Sequence, residues 1–279
     1  MNDAANNLIL KQGEYLPRTG MNYPTDDPYA RLVPAPQVRK LVFDETYPFL
    51  DDSFGFKFQR FIAYFLVFGP YQIINFLRYG LRFEGRNILR KYRKELKNGA
   101  VSVSNHCYRW DGMAVSEALH RRVWIPMLSD HFNGPDMWSL KYFGGIPLPD
   151  GSFGAQKAFN NAFDTHNSRK EWIHVFPEAR NWNFYKPLRP FRKGAFTMAY
   201  KYNVPIVPIG LTYRPRTGIH RLFDKKEIPL ITVKIGEPIF PDKSAARSKE
   251  VGRLLHESFE AVLKLNGIER NPWPETWIE

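Results

Sequence analysis

A single cysteine, Cys107, occurs among 279 residues. One thiol excludes an internal disulfide framework and any cysteine-based zinc site, so the chain is not a small stapled extracellular module, and a reducing compartment suits it. Met1 to Lys11 lack the charged start and apolar run of a secretory signal, which sets the expectation of a chain that begins and stays in the cytosol. No Gly-x-Ser-x-Gly elbow occurs, which argues against a serine hydrolase. Neither Gly-x-Gly-x-x-Gly nor a Gly-Lys-Ser/Thr loop occurs, which argues against a nucleotide-binding enzyme. The apolar runs fall short of the roughly 20 residues of a spanning helix, and there is no internal repeat or low-complexity tract.

What is present is aromatic and basic. Apolar residues make up 43% and charged residues 24%, which is globular, but the 15% aromatic content is high and points to contact with lipid or an acyl chain. Forty Lys plus Arg against 28 Asp plus Glu give a net charge of +12. That charge attracts a membrane, nucleic acid, coenzyme A or an acidic carrier protein without choosing among them.

Residues 1–55 form a proline-rich arm, with Pro17, Pro24, Pro28, Pro34 and Pro36 among polar residues; it either wraps the domain or is mobile. Residues 56–84 hold the most unusual segment. Phe61 to Leu77 carry no charge, Arg60 and Arg78 bracket them, and Gly69-Pro70 divides them. Because proline removes a helix hydrogen bond, two helical pieces meeting there are expected. An interfacial or re-entrant hairpin is preferred over a buried core pair or a true span. Arg86, Arg90, Lys91, Arg93, Lys94 and Lys97 come next in the chain. Apolar insertion beside a cationic cluster suits an anionic bilayer better than nucleic acid, for which no recognition motif appears. From residue 85 to 279 strand-like and helix-like segments alternate, predicting an α/β domain with a mixed, mostly buried sheet flanked by helices. Strands are expected at 100–104, 123–127, 172–176, 206–211 and 230–235, and helices at 111–120, 152–167, 194–202 and 245–265.

Two His-x4-Asp pairs occur, His106 with Asp111 and His131 with Asp136. The first lies between the apolar run AVSVS and the helical DGMAVSEAL. That places His106 at the carboxyl end of a strand, where α/β folds gather their sites. A carboxylate on one ring nitrogen fixes the tautomer and leaves the other nitrogen basic, as general-base chemistry on a hydroxyl requires. The competing structural role is a histidine satisfied at a helix start, with Asp111 favoured by the helix dipole. The second pair contains Gly134-Pro135 and reads as a loop.

Asn105, His106 and Asp111 precede a second cluster, Phe176, Pro177 and Glu178, and then Pro190 to Phe196, the Val204 to Leu211 segment with Pro208, and Ile235 to Ile239. In this order the segments resemble the glycerophospholipid (lysophospholipid and 1-acylglycerol-3-phosphate) acyltransferases. The family's first motif is Asn-His, four residues and Asp, matched in full; its third is Phe-Pro-Glu-Gly-Thr-Arg, matched in part by residues 176–178. The resemblance implies that His106 deprotonates an acceptor hydroxyl, that Asp111 orients it, and that the oxygen attacks an acyl thioester of coenzyme A or acyl carrier protein. Cys107 and Ser104 then need no nucleophilic role, and no metal or prosthetic group is implied.

Two departures concern the acceptor. The third-motif arginine is replaced by Asn181, with Arg180 one position early, and the second-motif segment from Gly144 ends in Asp150 instead of arginine. Replacement cations are sought between Arg180 and Lys193, namely Arg180, Lys186, Arg189, Arg192 and Lys193, with Glu178 beside them. Otherwise these form a solvated basic loop, or the acceptor is a glycolipid-type hydroxyl lacking phosphate. The sequence thus predicts an O-acyltransferase of membrane phospholipid synthesis at the cytoplasmic face of a membrane, peripheral or re-entrant. Its partners would be an anionic membrane surface, a lysophospholipid-like acceptor and the thioester, and not nucleic acid; the rival is a non-catalytic membrane-binding relative.

Overall fold

The computed structural model describes residues 7–32, 37–223 and 228–274. In chain order its elements are β1 (Ile9–Leu10), α1 (Phe54–Phe68), α2 (Pro70–Tyr79), β2 (Arg82–Glu84), α3 (Arg86–Lys91), β3 (Val101–Ser104), α4 (Asp111–Leu119), β4 (Val123–Met127) and α5 (Ser129–Phe132). Beyond these lie α6 (Met137–Tyr142), β5 (Gly145–Pro147), α7 (Phe153–Ser168), β6 (Trp172–Val175), α8 (Gly194–Tyr202), β7 (Ile206–Arg214), β8 (Leu230–Ile235), α9 (Arg247–Leu265) and β9 (Ile268–Arg270).

Seven strands form one sheet in the order β2-β8-β7-β3-β6-β4-β5. The run from β7 to β5 is parallel, while β8 is antiparallel to β7 and carries β2 parallel beside it. Parallel strands are covered on both faces, which is why β3 is buried throughout, Ser102 and Ser104 included, and β7 as far as Tyr213. Phe163 of α7, Phe196 of α8 and Phe259 of α9 share one core with Val101 and Val103. Val115 and Ala118 of α4 share the other with Ile209, Leu211 and Val233.

The strands and helices expected from the sequence are all present, with β7 running on to Arg214. The unforeseen β2 and β5 are the two short edges of the sheet. Glycine and proline in Gly145-Ile146-Pro147 hide β5, yet an edge strand tolerates Pro147 because it has no outer partner to satisfy. Since β2 belongs to the sheet, the boundary expected after residue 84 falls before Arg82.

The described part of the arm wraps the domain. β1 pairs antiparallel with β9, and Phe43 and Phe49 enter the main core. Pro34 and Pro36 lie outside the described residues.

Ser53 caps α1 by accepting from Phe56 N at 3.2 Å. The helices α1 and α2 meet at Gly69-Pro70 with a bend of 42°. Among the described residues no single helix is long and apolar enough to cross a membrane, whereas this bent pair reaches that length and composition together. Its inner face is bolted to the sheet: Tyr64 Oη donates to Phe143 O at 2.7 Å and accepts from Val123 N at 3.1 Å. Arg60 turns inward and lies 3.7 Å over the Trp124 ring. Its outer face leaves Phe58, Phe61, Phe65, Ile73, Ile74 and Phe76 exposed.

One buried polar contact joins this hairpin to α4. Asn75 Nδ2 donates to Glu117 Oε1 at 2.7 Å, and among the described residues Asn75 Oδ1 has no partner. Burial pushes the Glu117 carboxyl up to about 7, opposed by the Asn75 bond and by Arg86. The folded state therefore holds a proton that the unfolded state releases. Stability from this group is fully present in acid, below the ordinary carboxylate value, and is lost as pH rises through about 7. Glu117→Gln carries an amide donor at every pH and should remove that slope. Urea titrations should show the variant more stable than wild type well above neutrality and nearly equal to it in mild acid.

Candidate active site

At the carboxyl end of the central strand β3, the chain turns through Asn105 and His106 into α4. The Asn105 side chain locks this turn to β7, accepting from Leu211 N at 2.8 Å and donating to Leu211 O at 2.9 Å. Asp111 opens α4, where the helix dipole favours a carboxylate. Its Oδ2 accepts from His106 Nδ1 at 2.6 Å, from Cys107 N at 3.0 Å and from Tyr108 N at 3.4 Å. A donating Nδ1–H leaves Nε2 with its lone pair, the arrangement a general base needs. The His106 side chain is 21% exposed and that of Asp111 3%, so the imidazole is open to the outside while its partner is not.

The imidazole also has a floor. Phe176 stacks on it with centroids 4.1 Å apart, and His174 meets Phe176 edge-on at 4.5 Å. Burial, and then the charge of His106, pushes His174 down to about 3. Ser102 Oγ lies 2.9 Å from one of its ring nitrogens and Ser104 Oγ 3.3 Å from the other. His174 is therefore held neutral beneath Phe176. His174 was not foreseen, because a histidine inside an apolar strand gives no local signal.

The backbone under His106 is held by the β6 loop. Glu178 Oε2 accepts from His106 N at 2.6 Å, and Glu178 Oε1 accepts from Arg189 N at 2.8 Å. Trp182 N and Phe184 N donate to the carbonyls of His106 and Cys107 at 3.3 and 2.7 Å.

The profile of the acyltransferase family matches residues 80–212, from the end of the hairpin through most of β7. The chain is 36% identical over 137 residues to 1-acyl-sn-glycerol-3-phosphate acyltransferase beta of Homo sapiens, a match covering 47% of this chain and 46% of that protein. It is 27% identical over 194 residues to an uncharacterized acyltransferase of Schizosaccharomyces pombe, covering 67% of this chain and 65% of that one. The matches thus span about half and just under two thirds of these relatives' lengths. The crystal structure of the 1-acyl-sn-glycerophosphate (LPA) acyltransferase PlsC from Thermotoga maritima has the same fold, with a TM-score of 0.51, 18% identity, and coverage of 78% of this chain and 84% of that one.

Residues 80–212 are thus similar to the acyltransferase domain.

The residues expected around an acceptor divide into two groups. Glu178, Lys186 and Arg189 are buried, which corrects the expectation that they contact an acceptor. Lys186 Nζ donates to Asn266 O at 2.6 Å, Thr212 Oγ1 at 2.9 Å and Glu14 Oε2 at 3.3 Å. Burial pushes its ammonium down to about 8, against the pull of Glu14. Arg189 pairs with Glu178 at 3.2 Å and reaches Pro28 O at 3.1 Å. These cations hold the loop and the arm together.

Arg180 is half-buried, while Arg192 and Lys193 are exposed. Arg180 is shifted down first by burial and then by Arg31, with Asp130 and Asp27 as acidic neighbours and Arg192 as a further basic one. Arg31 comes from the arm and pairs with Asp130 at 2.6 Å. His131 is pushed down by desolvation first and then by His106 and Arg31. The second His-x4-Asp motif is no pair: Asp136 accepts from Arg109. Pro177 O accepts from Arg192 N at 2.9 Å, and Pro208 aligns with Val103 in the sheet. Asp150, where the second motif was expected to carry arginine, accepts from Ser152 N at 2.9 Å and shapes the turn into α7.

Ala179 occupies the glycine position of the third motif and adopts φ 62°. That conformation costs a side-chain-bearing residue about 1–2 kcal/mol, offset in part by the greater unfolded-state freedom of glycine, about 0.4–1 kcal/mol. Ala179→Gly should therefore raise unfolding free energy by up to about 1.6 kcal/mol in urea titration.

Proposed function

We propose that this chain transfers an acyl group from an acyl thioester to a hydroxyl of a lysophospholipid-like acceptor, as a step of membrane phospholipid synthesis. The observation that carries this reading is the 2.6 Å contact of His106 Nδ1 with buried Asp111 at the carboxyl end of β3. Nε2 takes the proton of the acceptor hydroxyl, and Asp111 stabilises the imidazolium that results. The acceptor oxygen attacks the thioester carbonyl; the new C–O bond forms, the C–S bond breaks, and the imidazolium proton passes to the departing sulfur. No acyl-enzyme is needed. Cys107 fits that account, because burial holds its thiol well above the usual range. The chemistry requires neither metal nor prosthetic group, and the thioester of coenzyme A or acyl carrier protein is a cosubstrate.

We place the enzyme at the cytoplasmic face of a membrane, peripheral or re-entrant, with the exposed aromatic face of α1 and α2 against an anionic bilayer. The human and Thermotoga relatives, both named for 1-acyl-glycerophosphate, support a phosphate-bearing acceptor. Arg180, Arg192 and Lys193, with Arg31 and His131, are the cations we assign to that phosphate. A glycolipid-type acceptor is the second reading, favoured by Asn181 and Asp150 standing where the family's arginines are expected.

The test is turnover of long-chain acyl-coenzyme A and acyl carrier protein against a panel of lysophospholipids and glycolipids. His106→Ala should reduce kcat at least ~100-fold, within the range for a lost general base, and Asp111→Asn should lower kcat with KM little changed. A phosphate-free acceptor turning over as fast as 1-acylglycerol-3-phosphate would select the glycolipid reading. Lipid binding with no transfer to any acceptor would replace the enzyme with a non-catalytic membrane protein.

A further inference from the structure

The connection from β7 to β8 carries an apolar tip that the site does not use. Its described part ends in a 3-10 turn, Gly218–Leu222, where Ile219 is 52% exposed, Leu222 81% and the adjoining Phe223 48%. Large apolar side chains gathered in the open on a short turn mark an interaction surface.

The turn is held firmly in that position. His220 Nδ1 lies 3.2 Å from Leu77 O at the end of α2, and the His220 ring packs edge-on against Phe76 at 5.1 Å. Arg216 donates to Arg78 O, to His220 O, and to Ile228 O at 2.6 Å. A groove of about 300 Å³ between α2 and the turn is lined by Ile74, Leu77, Arg78 and Phe223. The apolar face of the hairpin thus continues across this groove onto the turn.

Topology puts this surface at the same end of the molecule as His106. β7 is parallel to β3, so the chain leaves β7 on the side from which His106 projects. The end of α2 is there too: Tyr79 packs 5.0 Å from Tyr108 and 6.2 Å from Trp110, on the loop between His106 and Asp111. Among the described residues of the turn the charge is of one sign. Arg214, Arg216 and Arg221 occur between residues 214 and 223 with no acid among them, and Arg78 stands exposed at the groove. Apolar tips flanked by arginines match an anionic leaflet, with hydrocarbon below and phosphate at the rim. A protein partner of ordinary interface character would meet fewer like charges around the apolar centre.

We propose that the Gly218–Phe223 turn is a second membrane-inserting element, which with α1 and α2 seats the carboxyl end of the sheet, and therefore His106, on an anionic bilayer. This rests on the reading that the hairpin docks on a membrane.

The test is binding of the full chain to phosphatidylcholine vesicles with and without phosphatidylglycerol. Leu222→Asp combined with Phe223→Asp should weaken binding to the anionic vesicles at least ~10-fold, about the effect of losing one buried large apolar side chain, with circular dichroism unchanged. Turnover of water-soluble short-chain substrates should also be unchanged. Leu222→Cys bearing an environment-sensitive fluorophore should shift to the blue on adding anionic vesicles; the native Cys107 is buried and does not compete for label. Undiminished binding by the double variant with no fluorophore shift, while Phe61→Asp with Phe65→Asp abolishes binding, would overturn the second element and leave the hairpin reading intact. Absence of vesicle binding by wild type would overturn both. Self-association dissolved by the double variant, with vesicle binding unaltered, would assign the tip to a second copy of the chain instead.

Discussion

A carboxylate removed from solvent must have its charge and lone pairs satisfied by the protein, because an uncompensated buried ion costs several kcal/mol. Glu178 meets that demand with the groups that define the site. It accepts from the backbone of His106 and of Arg189 and pairs with the Arg189 guanidinium. Hydrogen bonds to a charged acceptor are each worth roughly 1.5–3 kcal/mol, so the loop after β3 and the loop after β6 are fixed to each other. The position of His106 over Phe176 and beside Asp111 depends on this link.

The same link reaches outward to the arm. Arg189 touches Pro28 O, Trp182 donates to Ala30 O at 2.9 Å, and Tyr23 donates to Asn183 O at 2.6 Å. Residues at the start of the chain thereby brace a loop more than a hundred positions later. A proline-rich arm is well suited to this, since it enters with little conformational entropy to lose and offers carbonyls that no local helix has claimed.

How much of this could be read in advance depended on the range of the interaction. The contact of His106 with Asp111 was legible because a strand end, a short turn and a helix start are local patterns. The central strands were legible because burial on both faces leaves apolar runs. Lys186 and Arg189 were not: charge predicts exposure on average, and their partners Glu14, Pro28, Asn266 and Glu178 are brought to them by the tertiary fold. His131 illustrates the reverse case. Its sequence partner Asp136 is taken by Arg109, while the groups that do act on it, His106, Arg31 and Arg180, come from three distant segments. Arg60, at one end of the charge-free run, turned inward because the Trp124 face and Val123 O offered it partners.

The hairpin does more than cover one edge of the sheet, because it packs on the loop that carries His106. Tyr71 and Tyr79 of α2 contact Trp110, and Tyr79 contacts Tyr108; Asn75 of the same helix meets Glu117 in α4, the helix that Asp111 begins. A displacement of α2 would therefore disturb both the loop that carries His106 and the helix that carries its carboxylate. Interiors packed this closely transmit strain instead of absorbing it, and general-base catalysis is sensitive to errors of about 1 Å in approach. The geometry of His106 and Asp111 is thus tied to the packing of the apolar hairpin against α4 and the loop before it.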